Sequence, residues 1–245
     1  MLCYGASFGV ELTVNNMMAQ YFRTHFGLSM QMAGNIAALF GLMNLFARAI
    51  GGFLSDGMQK RHGMRGRLYA LTLCLFGEAV LLCVFSRMKS LAGSIFFLVC
   101  FSVFVQASEG ATFGVVPYVS PKLTGAISGM VGAGGNIGAI LWGLVFRLSG
   151  LNTPDCLFVV SFCVLVVCGL SVLVQIEGHE GILKRSVPLD TDLAGKKLYG
   201  MDDSSPGGAL AGRWGPPVEV PPETPQNNPL GGDGADKGAN EENKA

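Results

Sequence analysis

Charge is scarce in this chain and carries no net sign. Lysine and arginine number 17, aspartate and glutamate also number 17, and charged residues make up only 14 % of the sequence. A balanced, weakly charged chain offers no electrostatic footprint for nucleic acid, and no such partner is expected. The seven cysteines, Cys3, Cys74, Cys83, Cys100, Cys156, Cys163 and Cys168, include no C-x-x-C pair, which argues against a metal site or a redox motif. They read as small apolar residues in or beside hydrophobic spans. The N-terminus lacks the basic start, short apolar core and cleavage site of a signal peptide, so none is expected to be removed. Nothing in the pattern requires a cofactor, a metal or enzyme chemistry.

Apolar residues fill the space that charge leaves. Half of the residues are hydrophobic and the mean hydropathy is positive, which is usual for a membrane protein and unusual for a soluble domain. Six spans stand out, at about 1–21, 31–54, 68–86, 91–113, 123–148 and 154–176. Each is close to the ~20 residues with which a helix crosses a bilayer. The predicted fold class is therefore an all-α membrane protein of six transmembrane helices over residues 1–176. After Ile176 the chain is rich in Gly, Pro, Asn and acidic residues. Residues 177–245 lack the apolar surface to offset their ordering entropy and read as a disordered cytoplasmic tail, whose prolines are either plain solvated linkers or an extended ligand for a partner. The stretch from Asp56 to Arg67 holds Lys60, Arg61, Arg65 and Arg67 and reads as a cytoplasmic loop. Six spans then put both ends of the chain on that same side, and Lys184, Arg185, Lys196 and Lys197 at the start of the tail agree.

Three features of the spans are anomalous. The first is "GMVGAGGNIGAILWG" at 129–143, where each interior glycine would cost a helix in water roughly 1 kcal/mol relative to alanine. In lipid the backbone must still satisfy itself, so this span is expected to be helical. Gly125 with Gly129, and Gly134 with Gly138, have the spacing of close helix contacts. Asn136 needs a polar partner in that setting, and bare glycine backbone also admits a small ligand. A dinucleotide fingerprint is rejected, because Ile137 occupies its third glycine position. The second anomaly is Arg48, eight residues before Asp56 and so roughly 12 Å deeper along a helix. A guanidinium there costs about 2.5–3.5 kcal/mol on insertion scales. It either snorkels to the edge or serves an anion site, where its planar fork suits a planar oxyanion. The third is the first span, where Tyr4 and Phe8 share a helical face, as do Glu11 and Asn15. The aromatic pair is either packing or a wall for a flat, weakly hydrated ion. Glu11, Glu78 and Glu109 are acids in or near spans, positions that often mark proton relays, although an acid near a helix end can simply reach water.

These residues carry a resemblance. "YGASFGVELTVNNMMAQYF", "GLMNLFARAIGGFLSD" and "EGATFGVVPYVSPKLTGAISGMVGAGGNIGA" are similar to the second half of a eukaryotic nitrate/nitrite porter of the major facilitator superfamily, over about residues 4–176. "GAGGNIGA" matches that family's nitrate signature. "GGFLSDGMQKRHGMRGR" resembles the superfamily's loop motif, in which Gly52 and Asp56 are followed by basic residues such as Arg61 and Arg65. The resemblance implies that the six spans are helices seven to twelve of a twelve-helix porter of the plasma membrane. It implies that Arg48 binds the substrate, that Tyr4 and Phe8 flank it, and that Gly132, Gly134, Gly135, Asn136 and Gly138 are the signature of helix eleven. Ala49 departs from the proline that relatives often have after the arginine. The implied function is nitrate or nitrite transport by alternating access, coupled to protons through acids such as Glu11 and Glu109. The implied partners are the anion, protons, membrane lipid and a missing N-terminal half or a full-length relative. The alternative is a half-transporter that does not transport but associates with a full-length relative and regulates it. A porter for another anion is a third possibility, since arginine and glycine do not by themselves choose nitrate.

Overall fold

The computed structural model describes residues 1–176, 179 and 181–183. Seven α-helices make up this part: α1 (Leu2–Phe26), α2 (Met30–Leu42), α3 (Asn44–His62), α4 (Met64–Ser86), α5 (Leu91–Val119), α6 (Thr124–Leu148) and α7 (Thr153–Ser171), with one turn of 3₁₀ helix at Pro121–Leu123. Helices α2 and α3 are interrupted only at Met43 and form one pass, Met30–His62. Six long helical passes result, as the sequence predicts. Among the described residues, five are both long and apolar enough to cross a membrane. The other, α1, has the length, 25 residues, but Glu11, Asn15, Asn16, Gln20 and Arg23 dilute it. Glu11 itself is buried against protein, so lipid is not what it faces. The predicted disordered tail, residues 177–245, lies almost wholly outside the described residues.

Local chemistry sets the boundaries. Ser29 and Ser90 accept hydrogen bonds through Oγ from the backbone N–H groups of Met32 and Gly93, at 3.3 and 3.2 Å, and so cap α2 and α5. Gly27 ends α1 in the left-handed conformation, φ 66°. The expected loop over 56–67 is not a loop. Helix α3 runs on through His62, and Gly63 alone, at φ 61°, reverses the chain into α4. The basic residues therefore lie on two helix ends, where cations favourably face the C-terminus of α3. The last helix stops at Ser171 rather than at Ile176. Ile176 instead folds back into a small apolar cluster with Met64, Leu68 and Val115.

A core of aliphatic and aromatic side chains from α1, α2, α4, α5 and α7 holds the bundle together, with Phe22, Phe40, Phe85 and Phe101 fully buried. Two helix crossings are closer than side chains would permit. Where α1 meets α6, a Cβ on Gly138 would stand 2.0 Å from the Gly5 carbonyl oxygen, and one on Gly9 would stand 2.6 Å from the Gly138 carbonyl carbon. Where α3 meets α5, a Cβ on Gly51 would lie 1.9 Å from the Ala107 oxygen, and one on Gly110 would lie 2.0 Å from the Arg48 oxygen. Glycine at both crossings thus brings backbone onto backbone. The second crossing sets Glu109 of α5 beside Arg48 of α3.

Candidate functional site

Arg48 does not snorkel. Its guanidinium is gripped by two carboxylates from different helices, Glu11 of α1 and Glu109 of α5. Nη2 donates to both, with Glu11 Oε2 at 3.2 Å and Glu109 Oε2 in a short contact. The Glu11 side chain is 5 % exposed, that of Glu109 is fully buried, and that of Arg48 retains 36 %. Asn44, one turn before Arg48, donates through Nδ2 to Glu11 Oε1 at 2.7 Å. Each oxygen of Glu11 therefore has a partner. Arg48 Nε and Glu109 Oε1 have none among the described residues. A cation with oppositely charged, hydrogen-bonded neighbours escapes most of its insertion cost, and the part of the Arg48 side chain that stays exposed is available to an external acceptor.

The aromatic wall stands next to this cluster. Tyr4 and Phe8 stack with centroids 5.1 Å apart and planes 13° from parallel, and Phe113 of α5 meets Tyr4 edge-on. The Arg48 guanidinium carbon lies 5.9 Å from the centre of the Phe8 ring, within cation–π range. Gly135 of α6 leaves room for the two rings, since a Cβ there would approach Phe8 to 2.6 Å and Tyr4 to 2.9 Å. The six-helix bundle thus joins Arg48, Tyr4, Phe8, Glu11, Glu109 and Gly135 in one continuous site.

Other residues expected at the site sit differently. Gly134 faces the backbone of Met1, and Gly138 packs on Gly5, so these two shape the α1–α6 contact rather than an anion pocket within this chain. Gly132, like Gly125 and Gly129, has no neighbour within 4 Å of where its Cβ would lie. The Gly125 and Gly129 pair therefore makes no close helix contact among the described residues. Asn136 is exposed, and its Nδ2 donates to the carbonyl of Gly132 on its own helix at 3.3 Å.

The loop motif also resolves into a structure, in which one of the basic residues that follow Asp56 is its partner. Asp56 pairs with Arg67, at 2.6 Å, rather than with Arg61 or Arg65. Arg67 is buried, donates to Ser55 Oγ at 3.2 Å and lies over the Tyr118 ring at 4.9 Å. Gln59 Nε2 donates to the Tyr118 hydroxyl at 3.0 Å. Arg65 donates to the Gly181 carbonyl and Arg61 is exposed, while Gly52 lies beside the α3–α5 crossing. The sequence offers three arginines at plausible spacing, and only the tertiary fold selects one. Asn44 and Tyr118 were not identifiable beforehand, because neither has a pattern that distinguishes it from ordinary span residues.

Comparison with known proteins places this geometry. Residues 1–202 match the Major Facilitator Superfamily, and the chain belongs to that superfamily. The fold agrees: the xylose transporter XylE from E. coli, in an inward open conformation, superposes with a TM-score of 0.54 at 13 % identity, over 71 % of this chain and 47 % of that one. Within the superfamily, its similar relatives include nitrate transporters. It is 46 % identical over 171 residues to High affinity nitrate transporter 2.5 of Arabidopsis thaliana, covering 70 % of this chain and 34 % of that protein. It is 49 % identical over 146 residues to High-affinity nitrate transporter 2.3 of Oryza sativa subsp. japonica, covering 59 % and 28 %. The chain thus spans about a third of the length of the curated relatives it matches, and it belongs to a family of membrane transporters, not of enzymes.

The contact of Gly135 with both rings gives a direct test. Gly135→Leu is expected to force Phe8 and Tyr4 apart at a cost of about 1–3 kcal/mol and to abolish anion uptake by an assembled transporter while the protein still reaches the membrane. Uptake at the wild-type rate would show that this approach is not needed.

Proposed function

We propose that this chain forms one half of a nitrate or nitrite transporter, and that Arg48 is the residue that binds the anion. The observation that carries this reading is the Arg48 cluster: a guanidinium held within a membrane bundle by two carboxylates, with its side chain still 36 % exposed and a stacked aromatic pair alongside. A flat, weakly hydrated anion fits both parts, meeting the fork in its plane and the ring edges, where the quadrupole is positive. The nitrate transporters among the relatives support the choice of anion. A second, related six-helix bundle is the partner this reading requires. Anion sites in such transporters form between two related bundles near the midplane, and alternating access rocks one bundle against the other. Both ends of the six-helix unit are taken to face the cytoplasm, on the side where Lys60, Arg61, Arg65 and Arg67 gather, with the plasma membrane as the site of action.

Charge balance supplies a mechanism for proton coupling. With Glu11 and Glu109 both ionised, the cluster around Arg48 carries a net negative charge and repels an anion. A proton on either acid releases part of Arg48's charge, so the anion binds together with the proton. Movement of the loaded bundle then delivers both to the other side. Glu109 is the better carrier, since one of its oxygens has no partner while both oxygens of Glu11 are engaged.

Three outcomes follow from this reading, all measured in a host that lacks related porters. In the chain co-expressed with the first half of a nitrate-transporting relative, Arg48→Lys keeps the charge but loses the fork, and uptake is expected to fall by roughly one to two orders of magnitude, as for loss of a hydrogen bond to a charged group. Unchanged kinetics would remove Arg48 from the site. Glu109→Gln in the same assembly is expected to leave anion exchange intact while abolishing the proton flux that accompanies nitrate, as read with a pH-sensitive dye. Coupled proton entry in that variant would exclude Glu109 as the carrier. Residues 1–245 expressed alone are expected to insert but to give no saturable uptake above background. Arg48-dependent uptake by the chain alone would mean that two copies assemble a working transporter. Lowered uptake by a co-expressed full-length relative would favour the regulatory half-transporter instead.

A further inference from the structure

Behind the Arg48 cluster lies a second acid that the transport scheme does not use. Glu78 of α4 is fully buried, as are Ser7 of α1 and Ser108 of α5. Its Oε2 accepts from Ser7 Oγ at 2.8 Å and lies 3.0 Å from Ser108 Oγ, whose single hydrogen is shared among Glu78, Ser7 Oγ at 2.6 Å and the Val105 carbonyl of its own helix at 2.7 Å. Its Oε1 has no partner. The charged or titratable groups that act on it are Glu11 on α1, Glu109 on α5, Cys74 on its own helix, Cys3 on α1 and Cys168 on α7. None of them is a cation, and among the described residues no cation pairs with Glu78. An ionised carboxylate in such a place would lack both a countercharge and a partner for one oxygen, which a membrane interior penalises heavily.

The position matters because of what Ser7 and Ser108 adjoin. Ser7 precedes Phe8 and stands one turn before Glu11, whereas Ser108 precedes Glu109. Resting on the reading of Arg48 as the anion site, we propose that Glu78 is a positioning residue that works as a neutral acid, tying α1 to α5 through Ser7 and Ser108 and so fixing how far apart Phe8, Glu11 and Glu109 stand around Arg48. Uncharged, it adds no negative potential behind a site that must attract an anion. A glutamine there would do the same work, because its carbonyl takes the place of Oε2. A leucine would fill the space without the tie.

Two measurements test this. In membranes holding the full chain, infrared difference spectra between wild type and Glu78→Gln are expected to show the carbonyl stretch of a protonated carboxylic acid in the wild type. Absence of that band at neutral pH would overturn the neutral state whether or not the protein transports. In the co-expressed assembly, Glu78→Gln is expected to keep the wild-type KM for nitrate and its pH profile. Glu78→Leu and the double variant Ser7→Ala with Ser108→Ala are expected to raise KM about fivefold or more, in line with loss of one or two hydrogen bonds, with less effect on the maximal rate per inserted molecule. The double variant keeps small residues at both positions, so a role in packing alone would leave KM unchanged and would overturn the positioning role. An altered pH profile in Glu78→Gln would identify Glu78 as a titrating group instead and would also overturn it. Failure of the anion-site reading shows separately, as unchanged kinetics in Arg48→Lys.

Discussion

A guanidinium placed two turns inside an apolar bundle must be neutralised by the protein around it, and much of this structure is arranged to that end. Arg48 finds its countercharges on two other helices, Glu11 on α1 and Glu109 on α5. Those contacts require three helix backbones to converge. Glycine makes that possible: Gly51 and Gly110 remove the side chains that would hold α3 and α5 apart, and the carbonyl of Arg48 itself lies against Gly110. The charge and the glycines are therefore one feature. A bulkier crossing would pull Glu109 away and leave the arginine to lipid, where a buried unpaired charge is far more costly than a paired one.

The same logic of close approach builds the aromatic wall. Gly5 and Gly9 on α1 meet Gly138 on α6 with no side chain between them, and this brings Gly135 under the rings of Tyr4 and Phe8. A cation and an aromatic face then stand side by side, with the guanidinium carbon 5.9 Å from the Phe8 ring centre. Such a surface tolerates charge but offers little to a strongly hydrated ion, which matches the flat anion proposed as substrate. The glycines of α6 on the opposite face, Gly125, Gly129 and Gly132, have open space where a Cβ would lie, among the described residues. Under the proposed assembly they are free to pack against the second bundle.

At the other end of the bundle a separate charge pair does a different job. Asp56 and Arg67 close the turn between α3 and α4, with Tyr118 of α5 beneath the guanidinium. Three helices are joined at a single point close to the reversal at Gly63. The Arg48 cluster and the Arg67 cluster both span α3 and α5 and are linked by the α3–α5 glycine crossing.

Composition and hydropathy alone determined that this is a membrane bundle, because apolar length is a local property that five of the six passes carry by themselves. The sequence also marked Arg48 as abnormal, since charge at that depth needs a reason, and its loop motif pointed to the superfamily to which the chain belongs. It could not say what pairs with Arg48. Glu11 lies 37 positions away and Glu109 61 positions away, and no spacing rule connects residues on different helices. Nor could it choose Arg67 over Arg61 and Arg65 as the partner of Asp56, or separate Gly135, which meets the rings, from Gly132, which meets nothing. The expected loop at 56–67 failed for a related reason: one left-handed glycine reverses the chain, so residues that looked like a loop remained helical. Span, depth and composition are written along the chain; pairing and close approach depend on which faces of separate helices meet, and only the folded bundle decides that.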